Sequence, residues 1–181
     1  MLLRGINVGG KRPVPMGDLR EAFAAMGYVD PTTYINSGNV IVASRRTKNS
    51  RTVSTIERGL VGAFGHDLRV VVRDLAEMRA IVRGIPADWN VDDRATRRNV
   101  IFLTDGSDAR AILRSLRPKP DIESVTATQH VLYWSAPERT ITRTAMVKLS
   151  AHPAYGEMTV RNLRTTLKVH DLMLARAGAA R

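Results

Sequence analysis

No cysteine occurs anywhere in the 181 residues, which removes thiol nucleophiles, disulfide frameworks, Cys-ligated zinc and iron–sulfur clusters from consideration. Aromatic residues are scarce at 5% of the chain. No aromatic-x-aromatic block of the kind that stacks RNA bases on an open sheet is present, although Tyr34, Phe102, Tyr133 and Trp134 fall in strand-like runs. Long apolar runs are missing too. Stretches such as Val70-Val71-Val72 reach strand length at most, so neither a membrane span nor a secretory signal is expected, and the expected location is the cytoplasm. What remains, 44% hydrophobic and 25% charged residues with 13 glycines and 8 prolines, is an ordinary globular composition sized for one domain or two small ones.

Lysine is the next scarcity. Only Lys11, Lys48, Lys119, Lys148 and Lys168 contribute to the 28 basic residues, which face 17 acidic ones for a net charge of +11, so the excess is arginine. A cut at residue 90 leaves 13 basic and 8 acidic residues before it and 15 and 9 after it, so neither half is a basic tail on a neutral body. Such a charge favours phosphate-bearing partners, and an arginine-for-lysine compositional drift explains it equally well.

Organisation follows from periodicity. Leu2-Leu3-Arg4 reads as a short strand broken by Gly5-Ile6-Asn7-Val8-Gly9-Gly10. Leu19, Ala22, Phe23 and Met26 recur at i, i+3, i+4 and i+7, a helix face closed by Gly27. Thr33-Tyr34-Ile35 and Val40-Ile41-Val42 flank Asn36-Ser37-Gly38-Asn39, a hairpin signal. Val53, Ile56, Leu60 and Phe64 mark a second helix ending at Gly65, and 68–72 a fourth strand. A third helix starts at Asp74, with Glu77 completing a capping box. After a linker over 85–98 the order repeats: strand 100–103, helix 109–116, strands 125–128 and 131–134, a helix near 144–151, and a strand at 158–161. A last helix starts at Asn162. Twice-read βαββαβ predicts an α+β protein of two ferredoxin-like (α-β plait) subdomains in tandem, 1–84 and 99–181, the second carrying the C-terminal helix. No residue-level repeat relates the halves, so the duplication rests on element order.

Four blocks resemble the signature of a bacterial family catalogued as domain of unknown function 1697. They are Leu2-Leu3-Arg4-Gly5-Ile6-Asn7-Val8-Gly9-Gly10-Lys11, Thr33-Tyr34-Ile35-Asn36-Ser37-Gly38-Asn39-Val40, Phe64-Gly65 with Val70-Val71-Val72-Arg73, and Thr159-Val160-Arg161-Asn162. The resemblance implies a pair of ferredoxin-like subdomains and no activity. Family chains usually carry residues ahead of the first block, which implies either a start upstream of Met1 or a short first strand. Arg143-Thr144-Ala145 replaces a common Ser-Lys-Leu, and Arg161-Asn162-Leu163 a usual Arg-Asn-Trp, so family roles for that lysine and tryptophan have no residue here.

Gly5-x4-Gly10-Lys11 meets most of the P-loop pattern, but Arg12 stands where a magnesium-ligating Ser or Thr is required, and Pro13 and Pro15 prevent a helix from starting there. A looser anion nest of Gly9 and Gly10 amides, flanked by Arg4, Lys11 and Arg12, is compatible with the sequence, as is a plain glycine-rich connector. Asn36, Ser37 and Asn39 are candidate polar contacts or turn formers, and Arg161 with Asn162 sits at a strand-to-helix junction where Asn is a preferred cap. The candidate binding residues are therefore Arg4, Asn7, Gly9, Gly10, Lys11, Arg12, Asn36, Ser37, Asn39, Arg161 and Asn162. His66, His130, His152 and His170 show no paired metal spacing, and no G-x-S-x-G elbow occurs. The expected role is binding of an anionic or phosphorylated small ligand, with a non-specific nucleic-acid binder or a structural module as alternatives. No metal or cofactor is expected. Catalytic residues, enzymatic activity and oligomeric state are left open.

Overall fold

The computed structural model describes residues 1–7, 13–44 and 48–179. By its contacts the chain forms two units, Met1–Met78 with Val169–Arg181, and Arg79–Lys168.

In the first unit, β1 (Leu2–Leu3), β2 (Val29–Tyr34), β3 (Asn39–Ala43) and β4 (Val70–Val71) form one antiparallel sheet in the order β2-β3-β1-β4. Leu2 lies opposite both Asn39 and Val71, which sets the register of β3, β1 and β4. Helix α1 (Met16–Ala25) buries Leu19 and Phe23, and α2 (Ser50–Phe64) buries Ile56 and Leu60. These four pack with Leu3, Val40 and Val70 into one core, as the helical spacing predicts. Gly65 closes α2 in the left-handed conformation at φ 71°, which a residue without Cβ adopts without strain.

Helix α3 (Leu75–Arg83) begins with the expected capping box. The Glu77 amide donates to Asp74 Oδ1 at 2.8 Å and Glu77 Oε2 accepts the Asp74 N–H at 2.9 Å. The expected linker segment 85–98 lies inside the second unit. Tyr133 donates its hydroxyl to the Ile81 carbonyl at 2.6 Å, Trp89 meets the Tyr133 ring edge-on, and β5 (Thr96–Leu103) already starts at Thr96.

The second unit adds α4 (Ala109–Leu116), β6 (Ser124–Ala127), β7 (Val131–Pro137) and β8 (Met158–Asn162), giving another antiparallel sheet in the order β6-β7-β5-β8. Ile101, Leu103, Ile112, Leu132, Trp134 and Met158 centre its core. The helix expected near 144–151 is instead a succession of 3-10 segments, Glu138–Arg143, Ala145–Ala151 and Pro153–Glu157. Their β-branched residues Thr140, Ile141, Thr142 and Val147, with Thr144 between the first two segments, disfavour α-helix, and Pro153 lacks the N–H that would continue one. The C-terminal helix α5 (Leu163–Ala179) follows β8, and its residues from Val169 onward belong to the first unit. The whole is mixed α+β with two four-stranded antiparallel sheets and a C-terminal helix.

A residue-level repeat is present after all. Val72-Arg73-Asp74-Leu75 and Val160-Arg161-Asn162-Leu163 occupy matching places, where the fourth strand of each unit runs into a helix. Each arginine is buried, at 5% and 6% exposure, and each guanidinium donates to the carbonyl of the preceding valine, at 2.7 and 2.8 Å. Each following residue caps its helix, Asp74 through Glu77 N–H and Asn162 through Thr165 N–H. Four residues are too short a match to stand out in a linear sequence.

Candidate functional site

Five of the candidate residues gather at one end of the first sheet. Asn7, at φ 55°, donates its side-chain amide to the carbonyls of Val14 and Asn36, each at 2.9 Å, and accepts the Val14 N–H at 2.8 Å. Both ends of the segment 8–13 are thereby tied together and to the hairpin turn. Gly9, Gly10, Lys11 and Arg12 lie outside the described residues. Buried Asn39 donates to the Tyr34 carbonyl at 2.9 Å and to Ser37 Oγ at 3.0 Å, while the Arg4 N–H bonds the Arg69 carbonyl at 3.0 Å. Asn7, Ser37 and Asn39 thus hold the turn itself. Gly38, at φ 73°, is required there, because a Cβ would lie 2.7 Å from Leu3 Cβ and from Ile6 Cδ1.

Arg161 lies in the second unit, where its guanidinium donates to Thr159 Oγ1 and the Val160 carbonyl at 2.8 Å each. Burial pulls its pKa down to about 10. Asn162 accepts the Thr165 N–H at 2.7 Å, the expected cap of α5.

Beside that cap the second unit carries a polar cleft of about 680 Å³, lined by Arg94, Arg97, Arg98, Asn99, Asn162 and Arg164 among others. Sheet register builds it, since Asn99 on β5 lies directly opposite Asn162 on β8. Three of the arginines are held by carboxylates. Arg97 grips Glu138 through two bonds of 2.9 Å, Arg98 bonds Asp93 Oδ2 at 2.7 Å, and Arg164 reaches Asp92 Oδ1 at 3.2 Å. The Arg98 guanidinium, helped by the Ala95 N–H and the Thr96 side chain, keeps the Asp93 carboxyl below the usual carboxylate range. Arg94 is exposed and makes no hydrogen bond or ion pair with the described residues. The Asn99 side chain and the Asn162 amide nitrogen also have no partner among them. The cleft therefore offers three side-chain donors toward a ligand, framed by three pinned cations. Sequence reasoning found only Asn162. Three arginines within the five residues 94–98 were the available signal, and reading that segment as linker passed over it.

A second arrangement resembles a nucleophile and its base. Ser115 Oγ lies 2.9 Å from His152 Nε2. Its chemistry is wrong for that role. Nδ1 of His152 accepts the Ala154 N–H at 3.1 Å, so the neutral ring carries its proton on Nε2 and donates it to the serine. Ser115 in turn directs its own proton to the Ile112 carbonyl at 2.8 Å. A general base needs a bare nitrogen facing the hydroxyl.

The family whose sequence profile matches residues 1–133 is described as "Protein of unknown function (DUF1697)". No curated protein matches the chain. A solved structure of a conserved bacterial protein from Streptococcus pneumoniae superposes with a TM-score of 0.80 at 28% identity, covering 95% of this chain and 96% of that one.

Proposed function

We propose that this chain, which belongs to the family described as "Protein of unknown function (DUF1697)", binds a small phosphorylated anion in the cleft of its second unit. The observation that carries this reading is the convergence on one cleft, at the start of a 17-residue helix, of donors that no described residue engages: Arg94, Asn99 and the Asn162 amide. Phosphoryl oxygens accept from such guanidinium and amide groups, and the positive end of a helix adds to the attraction. The fixed pairs of Arg97, Arg98 and Arg164 support it by holding cationic side chains in place before a ligand arrives.

Each unit is read as a ferredoxin-like plait, supported by the strand order β2-β3-β1-β4 and its counterpart β6-β7-β5-β8. The second unit departs from the plait's usual complement by its 3-10 segments before β8.

Calorimetric titration with inorganic pyrophosphate, a nucleoside monophosphate and a short oligothymidylate at low and physiological salt is the test. A site of this kind binds one of the small anions with about tenfold weaker affinity in Arg94→Ala, and again in Asn99→Ala, at fixed salt. Small-anion affinity unchanged in both folded variants refutes the cleft as the site. Binding confined to the oligonucleotide, falling steeply between about 50 and 200 mM salt, assigns the charge to non-specific nucleic-acid attraction instead.

A further inference from the structure

The first unit contains a cavity of about 540 Å³, at the end of its sheet away from the hairpin turn. Its wall is apolar, with Val40, Val42, Val72 and Met173 facing it, and its polar side is formed by Lys48, Arg73 and Arg176. We propose that this cavity takes a small amphipathic anion, a molecule with an apolar body and a single acidic head.

An apolar-walled pocket of this size, open to solvent on one side, has room for the apolar body of a small ligand. Its volume falls in the ordinary range of small-ligand sites. The cations are fixed at one side of it. Lys48 is held by Glu77. Arg176 is held by Asp30, by Thr32 Oγ1 at 3.2 Å and by the Ile41 carbonyl at 3.1 Å. Arg73 is fixed by its bond of 2.7 Å to the Val72 carbonyl. Lys48 and Arg176 are thus each paired with a carboxylate from outside the lining, and Arg73, buried at 5% exposure, is the lining cation beside Asp74, which also caps α3. A purely polar anion would leave the valine and methionine wall unfilled, and a neutral apolar molecule would seat hydrocarbon against buried guanidinium charge. An acidic head beside Arg73 with an apolar body along the wall satisfies both sides. This reading stands independently of the cleft in the second unit.

Titration of the full chain with decanoate, decyl phosphate, decanol and acetate, each below its aggregation concentration, tests it. Saturable one-to-one binding of decanoate or decyl phosphate is expected, and the tighter of the two identifies a carboxylate or a phosphate head. Decanol and acetate should each bind at least about tenfold more weakly. Methyl resonances of Met173, Val42 and Val72 should shift on binding, and a folded Met173→Trp variant, which fills the space, should lose at least about tenfold in affinity. Absence of saturable binding of both long-chain anions overturns the proposal, as does equal binding of decanol or acetate. Shifts confined to the second unit also overturn it, and because they are read on the unmodified chain they decide the matter even where Met173→Trp does not fold.

Discussion

At Asn7 one side chain joins three stretches of chain, bonding both backbone groups of Val14 and the Asn36 carbonyl in the hairpin turn. Asn7→Ala removes three hydrogen bonds and leaves a Cβ-bearing residue at φ 55° without the local polar contacts that make asparagine tolerant there. The expected loss is about 2–3 kcal/mol, read from the urea midpoint at unchanged slope. Gly38→Ala should cost at least as much, because its Cβ would press on Leu3 and Ile6 of the core. Tyr133 carries a pH dependence of definite sign. Burial pushes its phenol up to about 12, so above the ordinary pKa of 10.0 the unfolded chain releases a proton that the folded chain keeps, and stability falls between those values. Tyr133→Phe should remove that part of the alkaline fall while losing about 1 kcal/mol near neutrality with the bond to Ile81. Denaturation midpoints of both proteins between neutral and alkaline pH check the pair. Arg161 works in the opposite sense, since a folded value of about 10 relieves its burial penalty only above that pH.

Helices α2 to α5 start where short polar side chains supply the missing acceptors, whereas α1 starts after Pro15 without a side-chain cap. Asn49, Asp108 and Asn162 accept first-turn amides of α2, α4 and α5, and Asp74 does so for α3. Asn162→Ala should lower stability by about 1 kcal/mol, whereas Asn162→Asp should not, which urea denaturation of the two variants distinguishes. Asp108 adds an acid-side effect. The Ala111 and Arg110 amides hold its carboxyl below the ordinary range, so its contribution is present at neutral pH and is lost as pH falls through that lowered value. The 3-10 segments depend on a different anchor. Buried Glu123 accepts the Trp134 indole N–H at 2.7 Å, the Ala145 N–H at 2.8 Å and the Lys119 N–H at 2.9 Å, joining β7 to the segment Ala145–Ala151. Glu123→Ala leaves three donors without their acceptor and should cost more than about 3 kcal/mol, measured by the same denaturation.

Over the whole molecule the charge is spread, with 15 basic and 9 acidic residues in Arg79–Lys168 and 13 and 8 in the remainder. A field of that kind attracts any polyanion at low salt without marking a site. Removing one contributor therefore has a limited effect on such binding. Arg94→Ala should reduce the salt slope of oligonucleotide binding by about one at most, while weakening small-anion binding in the cleft by about tenfold. Among the described residues no helix is long and apolar enough to cross a membrane.

Local chemistry was enough for the helices α1, α2, α3 and α4, the hairpin at 35–38 and the caps at Asp74 and Asn162, because periodic burial and short-range hydrogen bonds involve residues a few positions apart. The sequence by itself thus determined the class, the absence of cysteine chemistry and the element order except before β8, where 3-10 segments stand in place of the expected helix. Only the tertiary structure decided what those elements bring together. Arg98 and Arg164 share a cleft because β5 and β8 pair with Asn99 opposite Asn162, and Arg176 meets Asp30 and Ile41 across more than a hundred residues of chain. The same holds for the 3-10 segments, since the first amide of Glu138–Arg143 is satisfied by the Ala95 carbonyl and that of Ala145–Ala151 by Glu123, each from a distant position. Strand register and side-chain meetings of this range depend on the summed burial of both partners, which no local pattern along the chain records.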